Sequence, residues 1–144
     1  MNETFRMKRL ATTPVKTGIA QTTAHLVSEL MNAAVATHKL HLKVSGTGSF
    51  AAHSALNGFY DALPGLTDGV AEGFQGASEV LLDCSEEKPS KVLNSVEDCV
   101  NYLRDLHTMV NKVQAAMPYS EVVNDLDNIK SLINSTKYKL LFLK

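Results

Sequence analysis

Tryptophan is missing from this 144-residue chain, and Phe and Tyr together supply only 6% of it. A core must then be built from Leu, Val, Ile, Ala and Met, which suits helices better than sheets, where aromatic and β-branched pairs hold strands together. Cysteine occurs only twice, at Cys84 and Cys99. Two thiols define no disulfide framework, and a reducing, cytoplasmic compartment is the expectation. No apolar run reaches the roughly 18–20 residues of a membrane span. The first sixteen residues lack the apolar stretch of a secretory signal. Charge of one sign is missing as well: 14 basic residues face 15 acidic ones, a net charge of -1. The chain as a whole is therefore no polycation built for nucleic acid. Nor does it carry a phosphate-binding glycine loop, a Ser/His/Asp arrangement or a CxxC pair, which removes the residues that several common enzyme classes need.

What remains is helical rhythm. Residues 1–18 read as a flexible basic arm, with Arg6, Lys8, Arg9 and Lys16 against Glu3, and with Thr12, Thr13, Pro14 and Gly18 interrupting any long helix. A solvated tail is the plain account of it; a phosphate-gripping arm on DNA is the functional one. Residues 19–144 form one domain of four helices. The first is expected from about Ile19 to about Lys43, with Leu26, Val27, Leu30, Met31, Ala34 and Val35 in steps of three and four. The second, from about Phe50 to about Leu82, holds Pro64 and five glycines, each glycine costing roughly 1 kcal/mol and the proline roughly 3. It is either one helix kinked at Pro64 and held by its packing, or two short helices broken there. Ser95 fits an N-cap, with Glu97 and Asp98 in the following turn. The third helix carries Val96, Val100, Leu103, Leu106, Val110, Val113 and Met117 and stops at Pro118; the fourth begins near Ser120 and carries Val122, Leu126, Ile129, Ile133 and Leu140. Four amphipathic helices without a strand signal predict an all-α bundle.

The residues with chemistry cluster near the first turn and along the second helix. At about 100° per residue, with His53 at zero, Asn57 falls at about 40°, Asp68 at about 60°, Asp61 at about 80° and Glu72 at about 100°. All five share one arc, and His41 ends the inward stripe of the preceding helix. Imidazole with carboxylate suits iron or zinc, and carboxylate-rich sites inside bundles favour iron or manganese. His53 and Asp68 stand roughly 22 Å apart along one helix axis, too far to share one metal. Two copies of the helix crossing antiparallel near Leu63 would bring the His53 and Asn57 end of one chain to the Asp68 and Glu72 end of the other, twice, across a two-fold axis. For a lone His the plain account is a surface or core residue, for Asp61 a solvated acid, and for Tyr60, beside the stripe, a packing role rather than a redox one. Lys137, Lys139 and Lys144 form a basic last turn that complements the helix dipole.

These residues resemble the signature of the Dps mini-ferritins. His41 is followed by Gly46 five residues later, by His53 at an offset of 12, Asn57 at 16, Asp68 at 27 and Glu72 at 31. The family pattern has an acid at 16 and the same ligand types at the other offsets. The resemblance covers residues 38–72 and implies a ferritin-like four-helix bundle. It further implies a homo-oligomer, usually a dodecameric cage, that oxidises Fe(II) at sites shared across a two-fold dimer interface and stores the ferric product; many such proteins also bind DNA. The implied metal ligands are His41, His53, Asn57, Asp68 and Glu72, with iron as the metal and zinc or manganese as surrogates. Asn57 brings an amide oxygen without charge where the family has a carboxylate, which weakens the site unless Asp61 substitutes. Pro64 and the short stretch from Glu72 to Ser95, where the family often has an extra short helix, are the other departures. The alternative is a structural or assembly protein, phage-encoded or virion-associated, that keeps the bundle without the oxidation.

Overall fold

In the computed structural model, which describes residues 14–85 and 91–144, four helices carry most of the described residues: α1 (Pro14–His41), α2 (Ser49–Ser78), α3 (Val96–Ala116) and α4 (Ser120–Phe142). No strand occurs among the described residues, and none of their helices is long and apolar enough to cross a membrane. Most of the expected basic arm, residues 1–13, and the DNA contact attached to it lie outside the described residues.

Two boundaries differ from the sequence expectation for physical reasons. Helix α1 begins at Pro14 rather than near Ile19. Proline at a first helical position has its φ already set and lacks only a donor that the first turn leaves unbonded anyway, so it starts the helix rather than breaking it. Helix α2 runs unbroken through Pro64, so the reading as two short helices fails, and it stops at Ser78 rather than near Leu82. There Glu79 turns into the left-handed region (φ 58°), and Ser78 Oγ accepts the Val80 N–H. Helix α3 starts where expected, the Ser95 hydroxyl accepting the Asp98 N–H at 3.0 Å and the Asp98 carboxylate taking the Asn94 N–H at 3.0 Å.

Burial explains why α2 tolerates its composition. Ala52, Ala55, Leu56, Phe59, Leu63, Thr67, Val70, Phe74 and Ser78 form its inward stripe at intervals close to 3.6 residues. Pro64 lies on the opposite, exposed face, so the Tyr60 carbonyl that loses its partner at Pro64 is not sealed inside the core. Buried threonine hydroxyls return their hydrogen bonds to the preceding turn, Thr37 to the Ala33 carbonyl and Thr67 to the Leu63 carbonyl, both at 2.8 Å.

Each helix packs on two neighbours, in the ring order α1, α2, α4, α3. Lys43, just after α1, reaches Asn94 just before α3 (3.4 Å). Gly48, at the start of α2, faces Lys144 beyond the end of α4, and Gly73, near the end of α2, faces Asp125 and Val122 near the start of α4. Gln114 of α3 donates to the Val123 carbonyl and to Asp127 of α4. Neighbours are therefore antiparallel throughout. Short turns join α1 to α2 and α3 to α4, whereas residues 79–95 connect opposite ends of the bundle. An extended chain of that length reaches about 55 Å, enough for the roughly 45 Å of α2. The architecture is a four-helix bundle with one long crossover.

Three results check this description. Ser95→Ala lowers the unfolding free energy by about 1 kcal/mol in a denaturant titration, because the α3 cap is lost. Pro64→Ala raises it by about 1–3 kcal/mol, since the exposed position gains a backbone donor. Burial pushes the Cys99 thiol up to about 12, so a disulfide-exchange reagent labels the less buried Cys84 in the native protein and reaches Cys99 only on unfolding.

Candidate functional site

The turn between α1 and α2 brings the sequence candidates from both helices to one place. Gly46 and Gly48 take φ values of 88° and 80°, conformations open to glycine at little cost, and they reverse the chain within a few residues. The last turn of α1 then lies against the first turns of α2, and the rings of His38, His41, His53 and Tyr60 meet.

His41 is the buried member, 8% exposed. Its ring stacks on His53 with centroids 3.9 Å apart and meets Tyr60 edge-on at 5.0 Å. His38 stacks on the other face of the cluster, 4.0 Å from Tyr60 and only 14° from parallel. The ring nitrogens are held as well. His53 Nδ1 lies 3.0 Å from the His41 carbonyl oxygen and His41 Nδ1 lies 3.3 Å from that of His38. A carbonyl oxygen only accepts, so each Nδ1 carries a hydrogen and donates it. Backbone carbonyls orient metal-binding histidines in this way, fixing the tautomer and the ring plane.

Asn57, Tyr60 and Asp61 extend the cluster along α2. The Tyr60 hydroxyl donates to Asn57 Oδ1 at 2.6 Å and lies 3.3 Å from His41 Nε2. Asn57 Nδ2 donates to Asp61 Oδ2 at 2.9 Å. Loss of surrounding water and then the neighbouring Asp61 carboxylate hold the Tyr60 phenol above its usual range. Asp68 and Glu72 stand further along the same helix, exposed and away from the rings.

Of the residues expected to act together, one chain unites His41, His53, Asn57 and Asp61 and leaves Asp68 and Glu72 apart. Among the described residues no three His, Cys, Asp or Glu side chains come close enough to hold a metal ion. The sequence reading passed over Tyr60 as the hub and His38 as its stacking partner. Their spacing carried a faint signal: His38 to His41 and Asn57 to Tyr60 are three apart and Asn57 to Asp61 four, the distances at which helical side chains touch.

The comparisons with known proteins bear on the same stretch. No curated protein and no solved structure matches the chain. One family does, over residues 41–140, a span that opens at His41 and includes His53, Asn57, Tyr60, Asp61, Asp68 and Glu72. With well over half of its length matched, the chain belongs to the DUF5856 family, a family of unknown function.

Proposed function

We propose that the chain is an iron-binding, Dps-like mini-ferritin that oxidises Fe(II) at sites shared between two copies and stores or detoxifies the product. The observation that carries this reading is the pair His41 and His53, stacked at 3.9 Å, each with Nδ1 oriented by a backbone carbonyl. Asp68 and Glu72 supply the carboxylates from a second chain, because one chain keeps them too far along α2. The single long crossover of the bundle is in keeping with a ferritin-like fold.

The outer face of α2 suits such a pairing. Its first half carries the imidazole of His53 and its second half the carboxylates of Asp68 and Glu72, so an antiparallel two-fold copy sets donors of one kind against the other. Gly58, Gly65, Gly69 and Gly76 have nothing within 4 Å of where a Cβ would stand, which leaves room for the backbone of a second helix. Iron is the substrate and cargo here. The chain binds it, orients the imidazoles and shields them on the buried side.

A second reading, an assembly protein that kept the bundle and lost the oxidation, is favoured by one specific contact. The Asn57 amide oxygen, which stands where the mini-ferritin pattern has an acid, is already taken by the Tyr60 hydroxyl.

Anaerobic Fe(II) titration followed by peroxide, read with native mass, separates the two. His53→Ala and Glu72→Ala each abolish oxidation in the ferroxidase, with helicity unchanged. Co-expressing the two variants restores about half the activity of the mixed dimer, since one of its two sites then has every ligand. Large assemblies that take up no iron would leave the assembly reading standing. Gly65→Leu breaks the assembly down to a folded monomer if α2 pairs as described, whereas unchanged native mass moves the interface elsewhere.

A further inference from the structure

Most of the large apolar side chains that the described residues leave exposed stand at one end of the bundle. This end is formed by the turn between α1 and α2, the start of α3 and the close of α4. Leu42 follows the last turn of α1, Phe50 stands in the first turn of α2, and Tyr138, Leu141, Phe142 and Leu143 finish α4. Phe50 is 83% exposed, Leu42 73% and Phe142 71%. Single apolar residues scattered over a surface need no explanation. Here α1, α2 and α4 each carry one at the same end, two of them aromatic. The Tyr138 and Phe142 rings stand 5.9 Å apart, one turn above the other, so the α4 corner is aromatic over its whole last turn.

The same end is basic. Lys39 and Lys43 stand in and just after the last turn of α1, and Lys137 and Lys139 in the last two turns of α4. Arg104 of α3 and Lys43 line a groove of 740 Å³ that opens between the α1–α2 turn, α3 and the close of α4. The acids here are Glu97 and Asp98 at the start of α3, and the Asp98 carboxylate already takes the Asn94 N–H. Toward the opposite end the sign reverses: Glu72, Glu79, Glu121, Asp125 and Asp127 outnumber Lys112 and Lys130 among the described residues. A net charge of -1 thus hides a separation of charge along the bundle. Helix dipoles account for cations at the closes of α1 and α4, but not for the exposed rings beside them.

We propose that this end docks on an anionic lipid bilayer, with Leu42, Phe50 and Phe142 dipping into the interface and the surrounding lysines meeting the headgroups. The pattern selects the occupant. Nucleic acid would match the charge and leave the apolar tips in water. A second copy turned end to end sets cations against cations, and the opposite end of a copy offers Leu81 but no exposed aromatic ring among the described residues. A protein partner needs one continuous dry centre, whereas these tips belong to different helices, whose axes lie about 8–10 Å apart where they pack. A bilayer interface takes each tip separately, and lysine lays its alkyl stem along the apolar side while its ammonium stays with the phosphates. Docking of this kind needs no spanning helix.

The test mixes the purified full chain with vesicles of phosphatidylcholine alone, or of phosphatidylcholine and phosphatidylglycerol in equal parts. The chain has no tryptophan, so Phe50→Trp places a single reporter at this end. Its emission is expected to shift to the blue with the anionic vesicles and not with the neutral ones, while Leu81→Trp, at the opposite end, stays unshifted. Lys39→Gln with Lys139→Gln weakens cosedimentation about 25-fold, at about fivefold per cation, and Phe50→Ser with Phe142→Ser weakens it about tenfold or more. All four side chains are exposed, so helicity is unchanged in both variants; if the serine pair does not fold, the lysine pair decides. Absence of cosedimentation with anionic vesicles, equal shifts from the two tryptophan reporters, or full binding by a folded double variant overturns the proposal. No vesicle binding together with a lower native mass for the serine pair overturns it in favour of a second copy on this surface. Iron and the pairing of α2 enter none of these readings, so failure here leaves the ferroxidase reading where it stands, and failure of that reading leaves this surface intact.

Discussion

Burial of Phe59, Leu63, Val70 and Phe74, each with no exposed surface, is what keeps α2 a helix. The interior of α2 carries five glycines and a proline, a sequence that would not hold together in water. A fully buried side chain of this size contributes about 1.5–3 kcal/mol, the same order as the propensity that proline and glycine forfeit. The costly residues also fall mainly on the outer face. Thus the inner stripe provides the stability, and the outer face is left free to be thin, bent or bare. Every candidate donor except His41 stands on α2, so their mutual placement depends on that one face being held.

Position along the chain decided how much could be read in advance. Helices α3 and α4 repeat apolar residues every three or four positions, and Ser95 and Pro118 punctuate them, so their limits follow from local rules. The start of α1 was obscured because Pro14 reads as a breaker until its place in the first turn is known. The continuity of α2 could not be decided from sequence, since the choice between one helix and two lies in the contacts of Leu63 and Thr67 with other helices. The same division holds for the site. The spacing from His41 to His53 and Asn57 was visible, and the structure brings those three together. The direction in which the Asn57 amide points, and the meeting of Tyr60 with His41, arise from tertiary packing between α1 and α2. No spacing rule encodes them.

The cluster also shows what an uncharged residue does between a phenol and an acid. A carboxylate at position 57 would only accept hydrogen bonds, and beside Asp61 it would repel its neighbour. Asparagine donates toward Asp61 and accepts from Tyr60, so it organises charge rather than adding to it. The imidazole rings each stack on one neighbour, His53 on His41 and His38 on Tyr60. Rings held in this way give up little further freedom in any contact they make.

The crossover between α2 and α3 gives the molecule a seam. On one side lies the hairpin of α1 and α2, which alone holds His41, His53, Asn57 and Tyr60; on the other lies the hairpin of α3 and α4, which holds none of them. Each hairpin closes through a short turn and gathers its contacts locally, the kind of unit that forms early and opens as a piece. The ring cluster is thus confined to one half of the chain, and the other half serves as its backing. A substitution in α3 or α4 then reaches the cluster only through packing, while one in the last turn of α1 or the first turns of α2 touches it directly.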